Sequence, residues 1–316
     1  MESLLVSSLS ANSNFSTDTI TEVYLLGFTG VKQYPQILGF LFLIIFTFSI
    51  FGNVFVFYVI RKQEQLHTPM YIIISNLALS DIVYSTVATP KIIEMYLFSN
   101  YVIRFNACVT QMCFLHFIAI VEVFLLVVMA LDRCVSICNP LRYTSIITNK
   151  VTYAMCFACW VSALISPGIL LVYFVGLPFC GPNKIPHFYC EFGTLVRLAC
   201  RNTDSNVNAG LTLGLVLWLV SFSIICLSYL QIIITVFKVV EPGGRSKAFY
   251  TCSTQLLVIC IFVIPRLFAY VSLLFLYMPL DLRMALGVFY SIVPPCIHPI
   301  IYSLRTKEIQ ILYFNT

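Results

Sequence analysis

Apolar positions along this chain fall into long, nearly unbroken runs rather than the short alternations of a soluble domain. The runs cover 35 to 60, 70 to 92, 108 to 131, 151 to 174, 207 to 238, 252 to 276 and 284 to 304. Each is near or above the ~20 residues an α-helix needs to cross a hydrocarbon core. The pattern predicts an all-α membrane protein, a bundle of seven transmembrane helices whose termini lie on opposite sides. Residues 1–34 would form a tail, 35–304 the spanning domain, and 305–316 a second, short tail. Ile309, Leu312 and Phe314 set against Lys307 and Glu308 give that last segment the pattern of a helix lying in the interface. Residues 1–34 have neither a basic n-region nor an apolar h-region, so no cleaved signal peptide is expected.

Composition agrees: 60% of the residues are hydrophobic and 10% charged, far from the balance of a water-soluble domain. The few polar residues inside the runs are therefore informative. In the third run Leu115, Ala119, Glu122, Leu126, Met129 and Arg133 recur at steps of three and four, so Glu122 and Arg133 share one inward stripe. In the sixth, Gln255, Ile259, Phe262, Arg266 and Ala269 form a second stripe past the helix-distorting Pro265, turning Arg266 inward near one end. An internal acid such as Glu94, Glu191 or Asp281, or else a ligand anion, is expected to partner it, because a desolvated guanidinium is costly. Asp81 and Glu122 are the two acids at mid-membrane depth. Two carboxylates in an apolar bundle share a proton or hold a positive ion. A neutral cluster with Asn53 and His298 is the structural alternative.

Charge in the short loops sets the orientation. On the C-terminal side ten bases, from Arg61 to Lys307, face four acids, whereas on the other side seven bases meet seven acids. The positive-inside rule makes the C-terminus cytoplasmic and the N-terminus extracellular. The net charge of +5 is thus a topology signal and does not point to nucleic acid. The sequon Asn14-Phe15-Ser16 falls on the outer side, where Asn14 is a glycosylation candidate. Of thirteen cysteines, Cys108, Cys180, Cys190 and Cys200 also fall outside, in an oxidising compartment that favours pairing them in one of three ways. The other nine read as small apolar packing residues, including the Cys156/Cys159 and Cys134/Cys138 pairs, which lack a redox or metal context.

The third run ends in Met129-Ala130-Leu131-Asp132-Arg133-Cys134-Val135-Ser136-Ile137-Cys138-Asn139-Pro140-Leu141-Arg142-Tyr143. Adjacent carboxylate and guanidinium groups at a bilayer edge neutralise each other and leave an arginine able to change partners. Around it, in order, stand Phe51-Gly52-Asn53, Leu66-His67-Thr68-Pro69-Met70-Tyr71, Ser75-Asn76-Leu77-Ala78-Leu79-Ser80-Asp81, Ser228-Tyr229, Lys247-Ala248-Phe249 and Pro299-Ile300-Ile301-Tyr302-Ser303-Leu304-Arg305. This ordered set, spread over almost the whole chain, resembles the olfactory receptors among the rhodopsin-like (class A) G-protein-coupled receptors. The chain departs from that pattern at Cys134 (usually Tyr), His298 (usually Asn), Gln255 (usually His) and Val263 (usually aromatic). His298 and Pro265 are more similar to fish-type odorant receptors than to mammalian ones.

The resemblance implies bridges from Cys108 to Cys190 and from Cys180 to Cys200. It implies a ligand pocket in the outer half of the bundle, walled by Leu115, His116, Ala119, Ile120 and Phe262 together with Arg266, Ala269, Tyr270, Phe289 and Tyr290. Such a wall suits a small organic odorant held by burial, and Arg266 extends the choice to anions. It implies a G-protein-coupling and switch set of Asp132, Arg133, Tyr229, Lys247, His298, Pro299 and Tyr302, and a sodium ion beside Asp81 and Glu122, with which the charge of His298 would compete. No other cofactor is implied. A plasma-membrane protein of sensory cilia, partnered by an odorant, membrane lipid and a stimulatory olfactory-type G protein, follows.

Other classes fit less well. Position 115 carries Leu where amine receptors place an acid, and the seventh run has no Lys for a retinal Schiff base. A class A receptor for a non-odorant small molecule or lipid remains the nearest alternative. A transporter should show a repeat with broken helices in matching halves, and none is visible. An enzyme is disfavoured by the absence of G-x-S-x-G and H-E-x-x-H, and Pro242-Gly243-Gly244-Arg245-Ser246-Lys247 lacks Walker spacing.

Overall fold

The computed structural model describes residues 20–28, 34–180, 183–239, 242–275 and 279–305. Helices α1 (Pro35–Lys62), α2 (Pro69–Leu97) and α3 (Phe105–Cys138) are followed by the single turn α4 (Tyr143–Ile146). Helices α5 (Asn149–Ala163) and α6 (Ile165–Phe174) meet at Leu164 and together make the fourth span. After the short α7 (Phe192–Val196) come α8 (Asp204–Val239), α9 (Pro242–Phe275) and α10 (Leu280–Arg305). Six of these helical segments are long and apolar enough to cross a membrane, and α9 carries a shorter apolar stretch, Leu256–Val271. Pro35 and Pro69 each stand in a first helical turn, where a missing N–H costs nothing.

Two helices outrun their apolar runs furthest. Helix α3 continues seven residues past position 131, and α9 starts ten before position 252. Helical hydrogen bonds are internal to the segment and need no lipid to persist, so hydropathy marks the bilayer and not the helix end.

Helix α3 is the hub, packed against α2, α5, α6, α8 and α9. Its stripe Leu115, Ala119, Glu122, Leu126 and Met129 is buried throughout. In lipid the helices gain little from hydrophobic association, so close contacts and interhelical hydrogen bonds of about 0.6 kcal/mol each have to hold them. Trp160 donates to Asn76 at 3.1 Å, and Ser49 and Ser85 share a bond at 3.0 Å.

At the disulfide-bearing end a small sheet forms in part from the segment read as a tail. Strand β1 (Glu22–Leu25) lies between β2 (Val102–Arg104), to which it is antiparallel, and β3 (Lys184–Ile185), to which it is parallel. Its side chains alternate, burying Val23 and Leu25 completely, and each such burial contributes about 1.5–3 kcal/mol. Gly27 follows with φ of 60°, close against the Tyr96 hydroxyl. That hydroxyl accepts from the Phe28 amide at 2.9 Å. Cys108 is bridged to Cys190 and Cys180 to Cys200, with Cα separations of 5.4 and 5.6 Å. The first bridge fixes the loop before α8 over α3, where the Cys190 amide also donates to Gln111 at 3.0 Å.

Candidate functional site

Beneath that roof lies a cavity of about 230 Å³. Leu115, His116, Ala119, Ile120, Arg266, Ala269, Tyr270 and Tyr290 line it, as do Tyr84, Trp218, Tyr189, Glu191 and Arg283. Phe262 and Phe289 of the expected wall lie outside the lining. Phe262 is fully buried beneath Trp218, with ring centroids 5.5 Å apart, and Phe289 is 44% exposed on the outside of α10. The helical step explains the latter: Phe289 is one residue, about 100°, from the inward Tyr290. Trp218, one of two tryptophans in the chain, was not separable from ordinary core by sequence spacing. His116 meets the Ser166 hydroxyl at 2.7 Å, which ties the cavity wall to the start of α6.

Arg266 is 6% exposed, yet its partner is none of the acids the sequence suggested. Glu94 is engaged by Lys91 at 2.9 Å and by Asn100, and Glu191 faces His187 at 3.8 Å. Among the described residues no carboxylate forms an ion pair with Arg266. Its Nη2 donates to the backbone carbonyl of Tyr290 at 3.0 Å. The guanidinium lies 5.0–5.7 Å from the ring centroids of Phe262, Tyr290, Trp218 and Tyr84. Nε is buried without an acceptor. The Tyr290 carbonyl is available because residue 294, which would donate to it in an unbroken helix, is proline. The same rule operates five residues on. Pro299 frees the Pro295 carbonyl, which accepts from Asn53 at 2.7 Å and Ser49 at 3.2 Å.

Deeper, His298 Nδ1 meets Asp81 Oδ2 at 2.9 Å, both residues being fully buried. Glu122 is 2% exposed and within electrostatic reach of both Asp81 and Arg266. Asp81 Oδ1 and Glu122 Oε1 are buried without hydrogen-bond partners. Hard carboxylate oxygens of this kind suit a monovalent cation or a shared proton.

At the opposite end from the disulfides Asp132 is 1% exposed and accepts from the Tyr143 hydroxyl of α4 at 2.8 Å, while Arg133 Nε stands 3.9 Å from its other oxygen. Tyr143 was not among the residues singled out by sequence. Its pKa is pushed up, first by burial and then by the bond to Asp132. Tyr229 and Tyr302 are buried in the core, and the Tyr302 ring lies 6.0 Å from that of His298. Pro299 is inside α10, where it closes on Gly52 of α1. The Lys247 side chain, Asn14 and residues 306–316 lie outside the described set.

Seven helices around a buried polar core, with an arginine at one end and a roofed cavity at the other, define a G-protein-coupled receptor. The fold is shared with squid rhodopsin, whose crystal structure superposes with a TM-score of 0.69 at 17% identity, covering 89% of this chain and 85% of that one. Residues 39–314 match the family model described as olfactory receptor. Human olfactory receptor 6N1 is 36% identical over 291 residues, covering 92% of this chain and 93% of the relative. Rat olfactory receptor 1f45 is 34% identical, covering 94% and 95%, and mouse olfactory receptor 5P80 is 36% identical, covering 92% and 94%. The chain belongs to the olfactory receptor family: it is a multi-pass membrane receptor that senses odorants, and not an enzyme.

Proposed function

We propose that this receptor binds a small anionic organic odorant in the cavity under the disulfide-pinned roof and passes the signal to a stimulatory olfactory-type G protein at its cytoplasmic face. The observation that carries the reading is Arg266: a buried cation lining the cavity, with an unsatisfied Nε and no ion-paired carboxylate among the described residues. A ligand carboxylate or sulfonate supplies the missing acceptor in a bidentate contact that Lys copies poorly and Leu not at all. Leu115, His116, Ala119, Ile120, Ala269, Tyr270 and Tyr290 would enclose the apolar body.

Signal transfer is a population shift. An agonist that prefers the open state draws the inner ends of α8 and α9 outward. The movement frees Arg133 from Asp132 and exposes a cleft that includes Tyr229 and Tyr302. Asp81 and Glu122 would hold a sodium ion in the resting state through their unpartnered oxygens, in competition with His298. The setting is the plasma membrane of sensory cilia.

The test is a cyclic-AMP readout of carboxylic acids against their methyl esters on wild-type, Arg266→Lys and Arg266→Leu receptors at matched surface expression. Acid preference in wild type, weakened in Arg266→Lys and absent in Arg266→Leu, is the expected result. Equal action of acids and esters on wild type removes the anionic ligand. Arg133→Ala should abolish stimulated nucleotide exchange while the receptor still reaches the surface. Full signalling at equal expression would take Arg133 out of the mechanism.

A further inference from the structure

The Arg266 guanidinium does two things at once. It closes one side of the cavity, and through the Tyr290 carbonyl it joins α9 to α10. The junction falls in the part of α10 least able to hold itself, because Pro294, Pro295 and Pro299 remove three amide donors within six residues. Two of the carbonyls so released are taken up by other helices, that of Tyr290 by Arg266 of α9 and that of Pro295 by Ser49 and Asn53 of α1. Only the first of these ties lines the cavity and so lies within reach of a ligand there.

The bond from Arg266 to the Tyr290 carbonyl has one charged partner, whereas a carboxylate adds the opposite charge and a second, parallel hydrogen bond to the guanidinium fork. A ligand carboxylate therefore outcompetes a peptide carbonyl for the Arg266 donors. An ester carbonyl is a weaker acceptor than the peptide carbonyl and gains nothing by replacing it. Resting on the reading that the cavity takes an anion, we infer that ligand charge sets the sign of the response: anions are agonists, and uncharged isosteres with the same apolar body are competitive antagonists. The anion draws Arg266 away from Tyr290 and releases α10 at its proline run. The neutral isostere fills the same space by burial and leaves the α9–α10 tie intact. The difference between them is a difference in affinity for the two states, which is the only way a ligand moves a conformational equilibrium.

The tie is then part of the resting state, and removing it should activate the receptor without ligand. Nucleotide exchange on the G protein is measured for wild-type, Arg266→Leu and Pro294→Ala receptors at equal surface density. The probes are hexanoate, octanoate, decanoate, their methyl esters, and octanesulfonate as an anion that does not titrate. In wild type the acids and the sulfonate activate, and each ester moves the dose–response curve of its acid to higher concentration without lowering the maximum. Ligand-free exchange rises about tenfold in Arg266→Leu, the shift expected when one charge-assisted bond is lost from the resting state alone. Pro294→Ala keeps Arg266 but gives the Tyr290 carbonyl a helical donor of its own. It should raise ligand-free exchange and retain the acid response. If esters activate to the same maximum as acids, or if both variants keep the wild-type ligand-free rate, the inference is overturned while an anion-binding cavity stands. If no anion acts on wild type, the anionic reading falls and this inference with it.

Discussion

Two of the buried charges in the bundle are handled in opposite ways. At mid-depth Asp81 meets His298 at 2.9 Å, charge against potential counter-charge. Toward the outer end Arg266 is surrounded by four rings and one carbonyl. The first arrangement is closed, because each group loses its partner if the other moves. The second is open, since cation–π contacts are weakly directional and worth about 0.5–2 kcal/mol each, and a better acceptor can replace the carbonyl. The paired site suits the resting-state core, with one Asp81 oxygen left over for an ion, and the open site suits ligand recognition.

The largest effect should come from breaking the closed pair. His298→Ala leaves Asp81 without its partner, and an orphaned buried charge costs about 3–5 kcal/mol. Purified receptor in detergent should melt markedly lower. Replacing both residues with Leu should cost less than the sum of the two single changes, as expected for groups in direct contact. Additive losses would show that Asp81 and His298 act independently. Arg266→Leu leaves no ion-paired carboxylate behind, so its cost should be smaller, about 1–2 kcal/mol from lost ring and carbonyl contacts. A melting loss as large as that of His298→Ala would mean that Arg266 is structural after all.

Much of this contrast was legible in the chain, and the rest was hidden for identifiable reasons. Periodicity turned Glu122, Arg133 and Arg266 inward, and the spans followed from hydropathy alone. The partner of Arg266 did not, because the sequence offers side-chain acids by name but shows a backbone carbonyl only to a reader who knows which helix faces which. Pro294 was the available clue, since it frees the Tyr290 carbonyl, but nothing local says that α9 supplies the donor. Strand β1 was overlooked for a similar reason. The alternation in Glu22-Val23-Tyr24-Leu25 is short, and its pairing partners stand some 80 and 160 residues away. Phe289 was misplaced by one helical step.

A third buried charge sharpens the comparison from the inner end. Asp132 is paired to Arg133 only at 3.9 Å, and its close contact is the Tyr143 hydroxyl. Tyr143→Phe removes one hydrogen bond to a carboxylate, of order 1.5–3 kcal/mol at most, and leaves the ring in place. Asp132 then has Arg133 as its remaining side-chain partner. Ligand-free exchange should change by several-fold, with melting shifted little. An unchanged basal rate would place Tyr143 outside the switch.

The smallest effect concerns a group caged as Arg266 is, but free to shed its charge. His187 is 1% exposed in the roof, with the Phe188 and Tyr189 ring centroids 4.4 and 4.3 Å away. Burial pushes its pKa down to about 4 from 6.5, Arg283 acting in the same direction and Glu191 against it. The native roof therefore holds His187 neutral, whereas an unfolded roof takes up a proton once the pH drops below about 6.5. The sign follows: stability from the neutral ring is complete above 6.5 and is lost progressively as the pH falls toward 4. Amide exchange over His187–Glu191, corrected for its intrinsic pH dependence, should accelerate across that window in wild type. In His187→Asn, which cannot titrate, the same segment should show a flat protection factor. Protection that is flat in wild type, or that falls equally in both proteins, would mean that the roof does not depend on the charge of His187. The contrast with Arg266 would then rest on the guanidinium alone.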